Sequence, residues 1–159
     1  MKRKARAPGV NYGMIAEKRV DRSLAGLQGD GLIHFWFRAS KDIDAEGIDH
    51  IFGRSQPKFS VWIVQVTSSR KKRRTYYHKL SSDERARAKK SYYRRRYYRY
   101  IPLIAVTPLT KDSRIKEKLK NISSAYKSVF ENKRCPIKTK SMLAKFLLER
   151  GINVPRHLI

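Results

Sequence analysis

The chain has 159 residues and carries 38 Lys and Arg against 13 Asp and Glu, a formal net charge of +25 at pH 7. That length suits one domain with basic extensions, and 40% hydrophobic with 11% aromatic residues is enough to bury a core, which argues against a wholly disordered chain. No apolar run approaches the ~18 residues of a membrane span, no apolar signal stretch follows the basic MKRKARAPG, and the single Cys135 can form neither an internal disulfide nor a zinc cluster. An intracellular location, cytoplasmic or nucleoid-associated, is therefore expected. Self-repulsion at +25 works against a compact state unless a polyanion neutralises it, and nucleic acid is the first polyanion to consider.

Residues 1–11 read as a basic, flexible arm or a solvated tail, with Pro8 and Gly9 after four basic residues. Residues 12–28 predict a helix, because Ala16, Val20, Leu24 and Leu27 make one apolar stripe and Gly29-Asp30-Gly31 stops it. A strand is expected over 32–37, a polar turn over 42–47, a second strand over 48–52, and a third, nearly continuous in apolar residues, over 59–66. Ser81-x-x-Glu84 has capping-box spacing for a helix over 82–99, followed by a strand at 101–106. Asp112 or Ser113 is the candidate cap of a helix carrying Ile115, Leu119, Ile122, Tyr126 and Val129. Thr139 or Ser141 is the candidate cap of a last helix with Met142, Leu143, Phe146 and Leu147 on its apolar face and Gly151 as its stop. The order α-β-β-β-α-β-α-α predicts an α/β fold with a mixed central sheet flanked by helices. Its early strands should be antiparallel, and the β-α-β unit spanning 59–106 should be parallel. The expected division is an arm at 1–11, an α/β core at 12–108 with its basic helix at 82–99, and a C-terminal helical extension at 109–159.

Acids stand out in so basic a chain, and Asp42, Asp44, Glu46 and Asp49 lie within eight residues. Asp49, expected inside a strand between Ile48 and His50, must be paired, coordinated or solvated. Pairing to one of many Lys or Arg side chains is one reading and ligation of a divalent metal is the other. Glu17 in MIAEKRV, Gly47-Ile48-Asp49 in DAEGIDHIF, and Val64-Gln65-Val66-Thr67-Ser68-Ser69 stand in an order that resembles the PD-(D/E)XK nuclease superfamily over residues 12–108. The resemblance implies a restriction-endonuclease-like fold. It implies that Asp49 is the metal-binding Asp, that Gln65 supplies the second metal-facing oxygen and that Glu17 is the accessory acid, with Mg²⁺ or Mn²⁺ as cofactor. Such a metal would polarise a phosphoryl oxygen and activate a water. The chain departs from the pattern at Thr67, where the family has a Lys. Either Lys71 or Lys79 supplies that charge from the next segment, or the fold only binds.

Residues 70–99 hold 14 Lys and Arg against Asp83 and Glu84, interleaved with tyrosines. Arg70, Lys71, Lys72, Arg73, Arg74, Arg94, Arg95, Arg96 and Arg99 are candidate phosphate contacts, and Tyr92 and Tyr93 are candidate stacking faces. About half of the tyrosines in this segment are expected to pack a helix onto the sheet instead, since a helix buries one face. His34, His50, His78 and His157 show no ligand spacing and are read as non-ligands. Three functions compete: a Mg²⁺- or Mn²⁺-dependent DNA endonuclease with a degraded or rearranged site, a non-catalytic nucleic-acid binder such as a ribonucleoprotein component, and an anionic-membrane binder. The last is disfavoured because no clean basic amphipathic helix is visible. The partner expected is DNA or RNA, and not a membrane.

Overall fold

The structure, a computed structural model, describes residues 9–73 and 100–159. The expected basic helix at 82–99 lies outside them, as do Arg74, Lys79, Tyr92, Tyr93, Arg94, Arg95, Arg96 and Arg99. The described elements are α1 (Tyr12–Gly29), β1 (Phe35–Arg38), α2 (Lys41–Asp44), β2 (His50–Arg54), β3 (Ser60–Thr67), β4 (Leu103–Ala105), α3 (Asp112–Ala125) and α4 (Ile137–Glu149), with a 3-10 turn at Arg156–Leu158. They form a mixed α/β fold around a four-stranded sheet of order β1-β2-β3-β4, antiparallel in its first two pairs and parallel between β3 and β4. The parallel pair is the one expected of a β-α-β connection.

Alternation along β3 divides the core into two layers. Trp62 and Val64 face α1 and α3, where they meet Val20, Leu24, Leu27, Ile115 and Leu119. Val61 and Ile63 face the other way, with Ile51, Leu143, Phe146 and Leu147. Residues after 108 therefore cover both faces of the sheet, α3 on one and α4 on the other. The segment after α3 also closes the edge of β3 where β4 is too short to reach. There Val129 N–H donates to Val61 O at 2.9 Å, and the Ser128 hydroxyl accepts from Val61 N–H at 3.0 Å.

Several boundaries differ from expectation. β1 begins three residues late, because Leu32 N–H is bonded back to Leu27 O to close α1. The expected turn at 42–47 starts as a helical turn, with Asp44 N–H on Ser40 O and Ala45 N–H on Lys41 O, and its Ile43 is buried in the α4-side core. β2 starts at His50, so Asp49 stands just before the strand. It still makes ladder bonds on both sides, donating to Val64 O and accepting from Ala39 N–H. Neither Asp112 nor Ser113 caps α3. Lys111 holds that position without a side-chain bond, and Asp112 is drawn to Arg19 instead. The helix ends at Ala125, so Val129 belongs to the segment on β3 and not to α3. α4 follows Pro136, whose φ of −59° suits a helix start, so Thr139 and Ser141 fall inside the helix. Gly151 does end it, with φ of 79° and Ile152 N–H on Leu147 O.

Candidate functional site

Gly47 sets up the site by its backbone. It is buried with φ of 87°, a conformation that only Gly adopts cheaply, and its N–H closes the turn onto Asp44 O at 2.8 Å. The chain then delivers the fully buried Ile48 to the core and Asp49 to the mouth of the β2–β3 ladder. The Asp49 backbone is stitched to both neighbouring strands at 2.9 Å, which fixes where its carboxyl begins. One carboxylate oxygen, Oδ2, accepts the Val66 N–H at 2.6 Å.

The β2–β3 register begins at His50↔Val64, and because Asp49 N–H also bonds Val64 O while its carboxylate takes the Val66 N–H, the Asp49 carboxylate is held at the end of β3 on the residue that follows Gln65 in the chain. Gln65 Oε1 is buried and has no hydrogen-bond partner among the described residues. Burial pushes the Asp49 pKa up to about 7, a hydrogen bond with Asp44 and the negative charges of Glu17 and Asp44 push the same way, and the Val66 N–H only partly opposes them. The structure thus brings Asp49, Gln65 and Glu17 to one end of the sheet and adds Asp44. Glu17 itself is shifted upward, by burial first and then by Asp44 and Asp21, against the pull of Arg38.

On the α1 side of the same end lies a second network. Arg38 grips Asp21 through Nε, 2.8 Å from Oδ2, and through Nη2 at 2.6 Å, and its Nη1 lies 3.8 Å from Glu17. His50 is fully buried and its Nε2 lies 2.7 Å from Asp21 Oδ1. Burial raises the Asp21 pKa, but the hydrogen bonds from Arg38 and His50 outweigh it and the net shift is downward. Burial depresses His50, so its neutral form donates from Nε2 to the carboxylate and leaves Nδ1 buried and unpartnered. Asp44, Asp21, Arg38 and His50 were not singled out as site residues from sequence. The i, i+4 spacing of Glu17 and Asp21 on α1 was the signal that could have found the second carboxylate.

Thr67 lies two residues beyond Gln65, on the same side of β3 by alternation, and its hydroxyl accepts from Ser69 N–H at 3.2 Å. It carries no charge, and its lone pair is engaged in a local turn. Arg70, Lys71, Lys72 and Arg73 follow on an exposed helical turn. A further cation was missed in the sequence. Lys118 on α3 donates to Ala105 O at 3.3 Å and lies within electrostatic range of Arg73, Arg114 and Arg70. Burial, then those three guanidinium groups, lower its pKa. The outer edge of β4 and the end of β3 therefore carry a cationic cluster.

Among the described residues no group of three or more His, Cys, Asp or Glu side chains is placed to hold a metal ion. The donor set at the acidic end still fits a hard divalent cation. It has an orphaned amide oxygen on Gln65, and a carboxylate on Asp49 whose crowding by Asp44 and Glu17 is relieved by positive charge. Mg²⁺ is commonly held by one or two carboxylates together with substrate phosphates, so two protein donors suffice for such a site. Comparison with protein-family models, with curated proteins and with solved structures gives no match.

Proposed function

We propose that this chain is a nucleic-acid-binding protein built on a restriction-endonuclease-like core of the PD-(D/E)XK kind, with a cation subsite at Asp49 and Gln65 and little or no cleavage of its own. The observation that carries the reading is the Asp49 carboxylate held on the Val66 N–H beside Gln65, whose buried Oε1 has no partner among the described residues, in a chain of net charge +25. Asp49 and Gln65 would hold Mg²⁺ or Mn²⁺, which when bound supplies Lewis-acid polarisation of a phosphoryl oxygen. Glu17 and Asp44 add negative charge around it, and Arg38 offsets the mutual repulsion of Asp21 and Glu17. Arg70 to Arg73 and Lys118 bind and orient the phosphate backbone of DNA or RNA. No helix among the described residues is long and apolar enough to cross a membrane.

A non-catalytic role, as in a ribonucleoprotein component, draws on one observation of its own. The Thr67 hydroxyl is bonded to Ser69 N–H, and Thr67 itself brings no charge to meet that developing on a phosphate. The two readings separate in one experiment. The full chain is incubated with plasmid DNA and with structured RNA in Mg²⁺ and in Mn²⁺, beside an Asp49→Ala control, and binding is followed on the same substrates. Binding with weak nicking that disappears in Asp49→Ala supports the cation subsite. Binding with no nicking in either metal supports the non-catalytic role. Strong cleavage that survives Asp49→Ala removes the site assignment.

A further inference from the structure

The turn at 107–110, between β4 and α3, is held more firmly than a connecting loop requires. Thr110 N–H donates to Thr107 O at 2.9 Å, and Thr107 N–H donates to the Thr110 hydroxyl at 3.0 Å. Arg19, its side chain only 15% exposed, reaches across from α1. Its Nη1 donates to Thr107 O at 2.9 Å, its Nη2 donates to Thr110 O, and Nε and Nη2 both hold Asp112. At the tip of this clamp Pro108 is exposed and Leu109 is 64% exposed. Beside it Tyr12, Ile15, Pro108 and the stem of Arg19 line an open recess of about 160 Å³, and Ile15 is itself 46% exposed. Single exposed apolar residues need no explanation, but a rigid turn that presents one beside a shallow apolar recess does. The turn leaves the sheet where Val106 N–H is tied to Thr67 O at 2.8 Å, so it shares that end with Arg70, Arg73 and Lys118. A second copy of a chain at +25 is repelled from such a cationic end, whereas a polyanion is drawn to it.

We propose that the 107–110 turn is a wedge: Pro108 and Leu109 enter a base step while Arg70, Arg73 and Lys118 hold the flanking phosphates. The substrate class that follows is duplex nucleic acid with a weakened step, such as a bulge or nick, in preference to uniform duplex. This rests on the reading of the chain as a nucleic-acid binder. Apolar side chains that part base steps unstack them at a cost, and a step already weakened costs less to open. The clamp by Arg19 means that little ordering is lost when the wedge engages. The test compares the full chain with Leu109→Ala on bulged and uniform duplexes carrying 2-aminopurine beside the bulge, by anisotropy and by fluorescence. The native chain should favour the bulged duplex by roughly tenfold and raise the 2-aminopurine signal, while Leu109→Ala should lose both and keep the same salt dependence. Thermal unfolding of Leu109→Ala should match the native chain, because the side chain is exposed. Binding without preference or signal change in the native chain, or a variant that keeps both, overturns the wedge and leaves the binding reading standing. A native chain that binds no nucleic acid overturns both. A shift in the sedimentation of the free chain on Leu109→Ala overturns the wedge in favour of a self-association surface.

Discussion

Asp49 is the residue on which the site turns, and its protonation makes a prediction with a definite sign. Its folded-state pKa of about 7 stands above the ordinary value of 3.8, so the native state binds its proton more tightly than the unfolded chain does. The associated stability is fully present below about pH 4 and is lost as pH rises through 7. Asp49→Asn keeps an acceptor for Val66 N–H but removes the charge. It should therefore flatten the fall in melting temperature between pH 5 and 9 and stabilise the protein at the upper end by on the order of 2–4 kcal/mol. Circular dichroism melts at three pH values check this. A steeper fall in the variant would contradict it. Mn²⁺ at pH 7.5 should raise the melting temperature of the native chain and leave Asp49→Asn unmoved, whereas equal shifts would place the metal elsewhere. At Thr67, substitution by Lys together with Gln65→Glu should create Mg²⁺- or Mn²⁺-dependent plasmid nicking that Asp49→Ala abolishes, since one such electrostatic group is worth about 3–4 kcal/mol in other enzymes. Absence of any gain would detach Thr67 from the site. Asp49 and Gln65 could be singled out from sequence because each lies in a short motif at or beside a strand, and the order of those motifs is a property of the chain. Asp21, His50 and Arg38 were not, because their contacts join α1, β2 and β1, and no periodicity within one element encodes them.

Elements were legible where one periodicity ruled and were misread where hydrogen bonding outside the pattern intervened. α1 and β3 came within a residue or two of expectation, since their apolar repeats coincide with the face that is buried. The caps of α3 and α4 did not, because Asp112 is committed to Arg19 and Pro136 starts α4 before either hydroxyl residue. The start of β1 was lost to the closing turn of α1, which a strand propensity does not register. At this scale Gly47 is the joint between α2 and β2. Gly47→Ala should destabilise the chain by about 1–2 kcal/mol through its positive φ and weaken Mn²⁺-induced stabilisation at Asp49, measured by the same melts. Leu119→Ala, in the layer between α1 and α3, should cost about 2–5 kcal/mol without changing the metal response. If both variants lost the metal response equally, Gly47 would have no particular hold on the site.

For the molecule as a whole, charge decides more than any single contact. Acids are gathered at one end of the β2–β3 ladder, and the basic residues of the 70–73 turn and Lys118 stand at the neighbouring end of β3 and β4. Composition points to a polyanion partner, but the place of Lys118 was not legible, because its charge joins Arg70 and Arg73 only through the packing of α3 on the sheet. The central claim is that this end of the molecule neutralises nucleic-acid phosphates. Counterion release then fixes how binding must respond to salt, with a log–log slope near −0.9 for each duplex phosphate contacted. The most direct test is the equilibrium affinity for a short fluorescent duplex by anisotropy between 50 and 200 mM salt, for the native chain and for a variant with Arg70, Arg73 and Lys118 replaced by Gln. With roughly six phosphate contacts, the account predicts a loss of about three decades of affinity over that range for the native chain, and a visibly shallower slope for the variant. A native affinity indifferent to salt, or a variant with an unchanged slope, would contradict it.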